Sequence, residues 1–228
     1  MTITYIYHSC CAIEFDDFSI IIDYYIDSIK DGEETGWVSQ HLLQNDKPLY
    51  VLCTHSHGDH FNEKILSWDK ERENITYLFS KEIVDTLTDN SLLKDEKIIY
   101  LDKFEEYRDD NIMVKAFGST DAGASFYIEH KKKKLFHAGD LNNWHWNEEV
   151  PRDEAFVYEN QYICELELLS EEVKKVDIAM FPLDPRLGKD FMRGGKQFVN
   201  KIKTKNFLPL HFGDNYELIQ QFEPIANK

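Results

Sequence analysis

The stretch LYVLCTHSHGDH, residues 49–60, joins an apolar run to a cluster formed by His55, His57, Asp59 and His60. The run LYVLCT suits a buried strand, because a short stretch of continuous apolar residues has no face to spare for water. Chance yields an H-x-H-x-D-H pattern about once in a thousand chains of this length, so the spacing itself requires a physical reason. In an extended segment residues i and i+2 point the same way, which lets His55 and His57 converge on one ion. Gly58 allows a sharp turn, after which Asp59 and His60 can address a second ion nearby. Imidazole with carboxylate suits zinc, manganese or iron, and the lack of thiolates points to a catalytic rather than a structural site.

A six-residue loop cannot complete two coordination shells, so ligands must come from elsewhere, at strand ends. LFHAGD ends in Gly139-Asp140, and FLPLHF carries His211 at its end. An aspartate can bridge two cations with its two oxygens, and a late histidine can close a second shell.

Working outward, TITYIYH, CAIEF and FSIIIDYY read as successive strands, with Asp16-Asp17 as a hairpin turn. Residues 27–46 are polar, with a short helix around Val38 to Leu43. Beyond the cluster, Phe61 to Trp68 reads as a helix with Asn62 as its cap, ITYLFS as a strand, Lys81 to Thr88 as a helix and KIIYLD as a strand. IMVKAFGS and ASFYIEH form a pair of strands, and Lys131 to Lys134 a solvated hairpin turn leading into LFHAGD. Glu148 to Glu172 holds nine Asp or Glu against Arg152 alone, and the spacing of Ala155, Phe156, Tyr162, Ile163, Leu166 and Leu169 suits an amphipathic outer helix. DIAMFP follows as a strand, then a helix from about Asp190 to Lys203, the strand FLPLH and a short helix from about Asn215. Strands first and mixed elements after imply a layered α/β or α+β protein, read as one domain over 1–228.

These motifs together resemble the metallo-β-lactamase superfamily: the opening hairpin region ending in IIID, the T-H-S-H-G-D-H loop, H-A-G-D and P-L-H-F. The resemblance implies an αββα four-layer sandwich of two mixed sheets flanked by helices, with a dinuclear metal site at one edge. By motif, His55 and His57 are ligands of the first metal, Asp59, His60 and His211 of the second, and Asp140 is the bridge. The opening H-S-C-C-A-I-E-F is similar to the branch containing L-ascorbate 6-phosphate lactonase, in which an early histidine, here His8, lies close to the metals; a hydrogen-bonded turn residue is the other reading of His8.

The chain departs from the superfamily pattern at one point. Where a third histidine of the first metal is expected before a glycine, residues 117–123 read FGSTDAG, with Thr120 in its place and Asp121 next to it. Either Asp121 is an oxygen ligand, shifting preference toward manganese, iron or magnesium, or the first site is weakened or empty. His145, between Trp144 and Trp146, is open to readings as ligand, proton donor, substrate contact or packing residue. Asp184 and Arg186 follow another strand; Arg186 is a fixed cation for an anionic substrate or, with Asp184, a surface and helix-capping residue.

The implied activity is hydrolysis of a small ester, lactone or phosphoester, in which metals lower the pKa of a bound water to give hydroxide and polarise the oxygen under attack. Asp59 and Asp140 orient that hydroxide, and Asp59 collects a proton for the leaving group. Two alternatives carry the same ligands: an iron-based redox protein, and a binding or regulatory protein with a degenerate metal site. The 228 residues carry 42 acidic against 26 basic side chains, a net charge of −16, which disfavours nucleic acid and acidic membranes as partners. A small-molecule substrate, an anionic one included, remains compatible with a locally electropositive metal pocket, and a homo-oligomer with the composition. The N-terminal stretch has no basic region followed by a long apolar run, and the four cysteines form no C-x-x-C pair, so a reducing cytoplasm is the expected location.

Overall fold

The computed structural model describes residues 1–87 and 97–222, which fall into two compact units, Met1–Asp102 and Lys103–Lys228. The first unit contains β1 (Thr2–Tyr7), β2 (Cys10–Glu14), β3 (Ser19–Ile22), β4 (Ile29–Lys30), β5 (Glu33–Glu34), β6 (Leu49–Cys53), β7 (Ile75–Ser80) and β8 (Ile98–Leu101). Six of these form one sheet in the order β1-β2-β3-β6-β7-β8, and β4 with β5 makes a separate small hairpin. The first three strands are an antiparallel meander, whereas β3, β6, β7 and β8 run parallel. Asp16 and Asp17 form the expected turn, closed by the Phe15 N–H on the Phe18 carbonyl (2.9 Å). Parallel strands need crossovers, here short helical turns at Val38–Leu42, Glu63–Lys70 and Lys81–Asp85. Asn62 caps the second, accepting the Lys64 N–H (2.9 Å). Val38, Leu42, Ile65, Leu66, Trp68 and Ile83 from these turns join Tyr77, Phe79 and Val51 of the sheet in one apolar core.

The second unit repeats the plan. It contains β9 (Glu106–Arg108), β10 (Met113–Phe117), β11 (Ser125–His130), β12 (Lys133–His137), α1 (Arg152–Glu172), β13 (Lys175–Pro182), α2 (Arg193–Lys201), β14 (Lys203–Leu210) and α3 (Tyr216–Ile219). The sheet order is β14-β13-β12-β11-β10-β9, antiparallel from β9 to β12 and parallel from β12 to β14. The helices α1 and α2 are the crossovers, and Tyr162, Leu166, Leu169 and Phe198 pack from them onto Phe136 and Phe181 of the sheet. Each unit is thus a helix-covered mixed sheet, and the fold class is α/β.

Direction within each sheet decides where chemistry can gather. β1, β3 and β6 run the same way, so their carboxyl ends deliver His8, Asp23 and the 54–60 loop to one edge of the first sheet. β10, β12, β13 and β14 also share a direction, and their ends deliver 118–121, Asp140, Asp184 and His211 to one edge of the second. Ligands bind at the carboxyl ends of parallel strands in open α/β sheets for this reason.

Some local expectations are corrected. The helix expected over Phe61–Trp68 is a 3-10 segment that starts and ends two residues later, at Glu63 and Lys70. The Lys81–Thr88 helix is a 3-10 turn ending at Asp85, and Thr88 lies outside the described residues. Lys203 belongs to β14, and α2 runs only from Arg193 to Lys201; a separate turn, Pro185–Asp190, precedes it and is itself kinked at Gly188, whose φ is 68°. The lysine turn is tighter than four residues: His130 pairs with Lys133, leaving Lys131 and Lys132 as the turn. Phe156 does not face the core; it is 62% exposed on the outer side of α1. The strand β9 and the β4-β5 hairpin are too short and polar to announce themselves by alternation.

Candidate metal centre

In the first unit Asp23 organises the histidines. It stands just past β3 with φ of 53°, wholly buried. Its Oδ1 accepts the Thr54 N–H and its Oδ2 the Thr54 hydroxyl, both at 2.8 Å. Oδ2 also lies 2.9 Å from Nδ1 of His60. A carboxylate only accepts, so His60 carries its proton on Nδ1. The Thr54 hydroxyl gives its one proton to Asp23 and so accepts from Nδ1 of His55, 3.0 Å away. One buried carboxylate therefore sets the tautomers of both His55 and His60, making Nε2 the lone-pair nitrogen of each ring and the atom that could ligate a metal.

The loop is braced elsewhere too. Ser56 gives its N–H (3.0 Å) and hydroxyl (2.6 Å) to Glu82. The Cys53 thiol lies 3.1 Å from the His55 carbonyl, and burial pushes its pKa up, keeping it a protonated donor. Both His60 and Phe61 direct their N–H groups at the His57 carbonyl (2.9 Å each), making the turn that the Gly58 region predicted. The ring centroids of His55 and His60 are 4.1 Å apart, those of His55 and His57 4.6 Å. The candidate ligand atoms of His8, Asp59 and His60 lie within 4.8 Å of one another, with His8 Nε2 3.4 Å from Asp59 Oδ2. His8 has φ of 55°, a left-handed conformation that turns the chain back at the end of β1.

The second unit builds the same device from different elements. His211 has φ of 62° at the end of β14, and its Nδ1 lies 2.9 Å from Oδ2 of the buried Asp184. Burial alone would raise the Asp184 carboxyl, but hydrogen bonds from His211 and Arg186 outweigh it and hold the pKa at about 2. Asp184 is therefore ionised, His211 carries a proton on Nδ1, and its Nε2 faces Asp140 Oδ1 at 3.4 Å. Two acceptors at that distance repel each other unless a cation or a proton lies between them, which is the relation expected of two ligands on one ion. Asp140 is delivered by Gly139, whose φ of 53° suits glycine at the turn after β12.

Thr120 does not offer its oxygen outward. Its hydroxyl accepts the Asn142 N–H (2.9 Å) and lies 2.6 Å from the Asn142 carbonyl, tying the 118–121 segment to the chain that follows Asp140. Candidate ligand atoms of Asp121 and Asp140, by contrast, lie within 4.8 Å of each other. His145 is buried with both nitrogens on the backbone: Nε2 is 3.3 Å from the Asp190 carbonyl, and Nδ1 accepts the Asn147 N–H (3.1 Å). Arg186 is committed to Asp184, through Nε (2.8 Å) and Nη2 (2.5 Å). Sequence reasoning missed Asp23, Thr54 and Glu82 as supports; for Asp23 the signal was present, an aspartate closing the apolar run IIID.

The family model for the beta-lactamase superfamily domain matches residues 2–211, a span that runs through both units and contains every candidate ligand named above. A UPF0173 metal-dependent hydrolase of Natranaerobius thermophilus is 24% identical over 219 residues, covering 93% of this chain and 83% of that protein. Among solved structures, Igni18, a metallo hydrolase from Ignicoccus hospitalis, superposes with a TM-score of 0.67 at 17% identity over 98% of this chain and 91% of that one. CmlA, a diiron β-hydroxylase from Streptomyces venezuelae, gives 0.61 at 12% identity over 91% of this chain; the chain spans less than half of that protein, 44%. These two structures share the fold. In the described residues no helix is long and apolar enough to cross a membrane.

Proposed function

Since the chain belongs to the metallo-β-lactamase superfamily, we propose that it is a metal-dependent hydrolase whose ligands are His55, His57, Asp59, His60, Asp140 and His211. The observation that carries this reading is the repeated pairing of a buried carboxylate with a ligand imidazole, Asp23 with His60 and Asp184 with His211, each at 2.9 Å. Such pairing fixes the tautomer and raises the basicity of the ligating nitrogen. The donor set is nitrogen and oxygen, which fits zinc, manganese or iron. Asp121, near Asp140, supplies the oxygen that stands in for the missing third histidine and favours the harder of these ions.

Divalent ions held there would supply Lewis acidity toward a carbonyl or phosphoryl oxygen and lower the pKa of a coordinated water. The chain's own residues do the rest. Asp140, buried at the turn after β12, fixes the attacking water by accepting its hydrogen bond. Asp59, whose side chain is 45% exposed beside His8, can take a proton at its carboxylate and release it to the leaving group. His8 steadies Asp59 in that role. The substrate is a small ester, lactone or phosphoester; the lactonase-like opening H-S-C-C-A-I-E-F favours a sugar-derived one, and the cytoplasm is the compartment in which we place the reaction.

Metal analysis of protein purified without chelator, followed by a panel of lactones, esters and phosphodiesters with added zinc or manganese, tests the reading. One to two ions per chain and metal-dependent turnover of one class are expected. Protein that binds no divalent ion at neutral pH would overturn it, and iron with redox turnover but no hydrolysis would replace it with the iron-based alternative.

A further inference from the structure

Within the second unit the two proposed ligands Asp140 and His211 are joined by a second, outer route. The Trp144 indole N–H donates to the Asp140 carbonyl (2.8 Å), and the same ring meets His211 edge-on at 5.6 Å. Trp146 stacks on Trp144 with centroids 6.0 Å apart and planes 14° from parallel. The Arg186 guanidinium lies over Trp146, 5.9 Å from its centroid, and grips Asp184 through Nε and Nη2. Asp184 then holds His211, which faces Asp140. The contacts close on themselves: Asp140, Trp144, Trp146, Arg186, Asp184, His211.

A closed set of contacts restricts each member more than an open chain does, because displacing one residue strains two neighbours. Trp146 has φ of 43°, a conformation unfavourable for a bulky residue, and the stacking between Trp144 and Arg186 offsets that cost. The Arg186 side chain is 63% exposed, so it closes the ring from the solvent side while Asp184 stays buried. A guanidinium suits this position because its flat face stacks and its edge offers two parallel donors; an ammonium does only one of these.

We infer that Arg186 is a positioning residue: through Asp184 and the Trp144–Trp146 stack it sets the geometry of His211 and Asp140, and so the affinity of the site for its metal. This rests on the proposed ligand set and departs from the simpler role of Arg186 as a docking cation for an anionic substrate. The two roles make opposite demands. A docking cation acts on KM and leaves metal binding alone, whereas a positioning residue acts on metal binding whatever the substrate.

The experiment is a competition titration of zinc and of manganese against a chelating dye, with the full chain, its Arg186→Ala and Arg186→Lys variants, and both Asp184→Asn and the Asp184→Asn/Arg186→Ala double variant. Circular dichroism of the metal-free proteins accompanies it. Arg186→Ala should weaken metal binding about tenfold, the lower end of what removing an outer partner of a metal ligand does. Arg186→Lys should recover part of the loss, and Arg186→Ala should add less once Asp184 is Asn than it costs alone, since the share of its effect that passes through that carboxylate is already gone. Unchanged affinity in Arg186→Ala, or a full additive loss in the double variant, overturns the inference and leaves the hydrolase reading intact. A wild-type chain that binds neither ion overturns both. If Arg186→Ala loses its metal-free fold, Arg186→Lys, which keeps the charge but loses the flat stacking face, carries the test: a measurable loss of affinity smaller than about tenfold is expected there, and unchanged affinity overturns the inference.

Discussion

Nδ1 of His60 lies 2.9 Å from Oδ2 of Asp23, and both side chains are fully buried. The carboxylate also receives two bonds from Thr54, so it serves His60 directly and His55 through the threonine hydroxyl.

Asp23→Asn keeps the shape and removes the charge. An amide can accept the Thr54 N–H, but its NH2 then faces the Thr54 hydroxyl and His60 Nδ1, which inverts the donor order. Both imidazoles lose their enforced tautomer. Metal affinity should fall 10- to 100-fold, as expected when the hydrogen-bond partner of a ligand is removed, with a stability loss of roughly 1–3 kcal/mol in the metal-free chain. A chelator competition titration and urea unfolding check the two separately, and unchanged affinity would show that Thr54 and the loop alone orient the rings.

Thr120 and Asp121 sit side by side but are predicted to behave oppositely. Thr120→His brings in the imidazole that the superfamily pattern expects, yet it removes a hydroxyl bonded to both the N–H and the carbonyl of Asn142. The expected result is a lower melting temperature, reflecting about 1–2 kcal/mol, with no gain in metal binding. Asp121→Ala instead removes an oxygen whose candidate ligand atom lies within 4.8 Å of that of Asp140, so its metal content should drop. A gain in metal content in the first variant, or full content in the second, would return the site to the histidine pattern.

How much of this was legible follows from which interactions are local. The strand ITYLFS, residues 75–80, and the 54–60 cluster are patterns within a few residues, and the sequence carries them openly. Asp23 and Asp184 act across 37 and 27 residues of chain, so no window of periodicity contains both partners. The same holds for Thr120: its replacement of a histidine is visible, but its hold on Asn142, 22 residues on, is a tertiary fact. Helix limits were less legible because apolar spacing does not register local backbone geometry, such as the left-handed Gly188 inside the Pro185–Asp190 turn. Phe156 misled because it keeps the spacing of an inward residue while α1 presents it outward.

Cysteine chemistry offers a test of the fold that needs no metal. Cys10, Cys11 and Cys53 are wholly buried, and burial pushes all three thiols well up, so neither access nor thiolate is available to an alkylating reagent. Cys164, on the outer side of α1, is exposed. Iodoacetamide at about pH 8 should add one group to the native chain and four to the chain in denaturant, read by intact mass. Rapid native modification at Cys53 would mean that the loop it supports opens readily, and the histidine geometry described above would lose its foundation.

The last prediction concerns acid. The Asp184 carboxyl is held at about 2, because the bonds from His211 and Arg186 overcome the rise that burial alone would cause. In the unfolded chain an aspartate titrates near 3.9. A group whose pKa is depressed by folding contributes stability above its unfolded value and loses it as pH falls toward its folded value. The contribution of Asp184 should therefore be constant above about pH 4 and disappear between about pH 4 and pH 2. Asp184→Asn cannot titrate, so the stability gap between wild type and variant should be level from about pH 6 to pH 4 and narrow below that. Urea unfolding in the presence of chelator, at intervals down to about pH 3, measures it. A gap that stays constant to the lowest pH would mean that the carboxylate draws nothing from His211 and Arg186, and that the ring of contacts through Asp184 does not hold His211 in place.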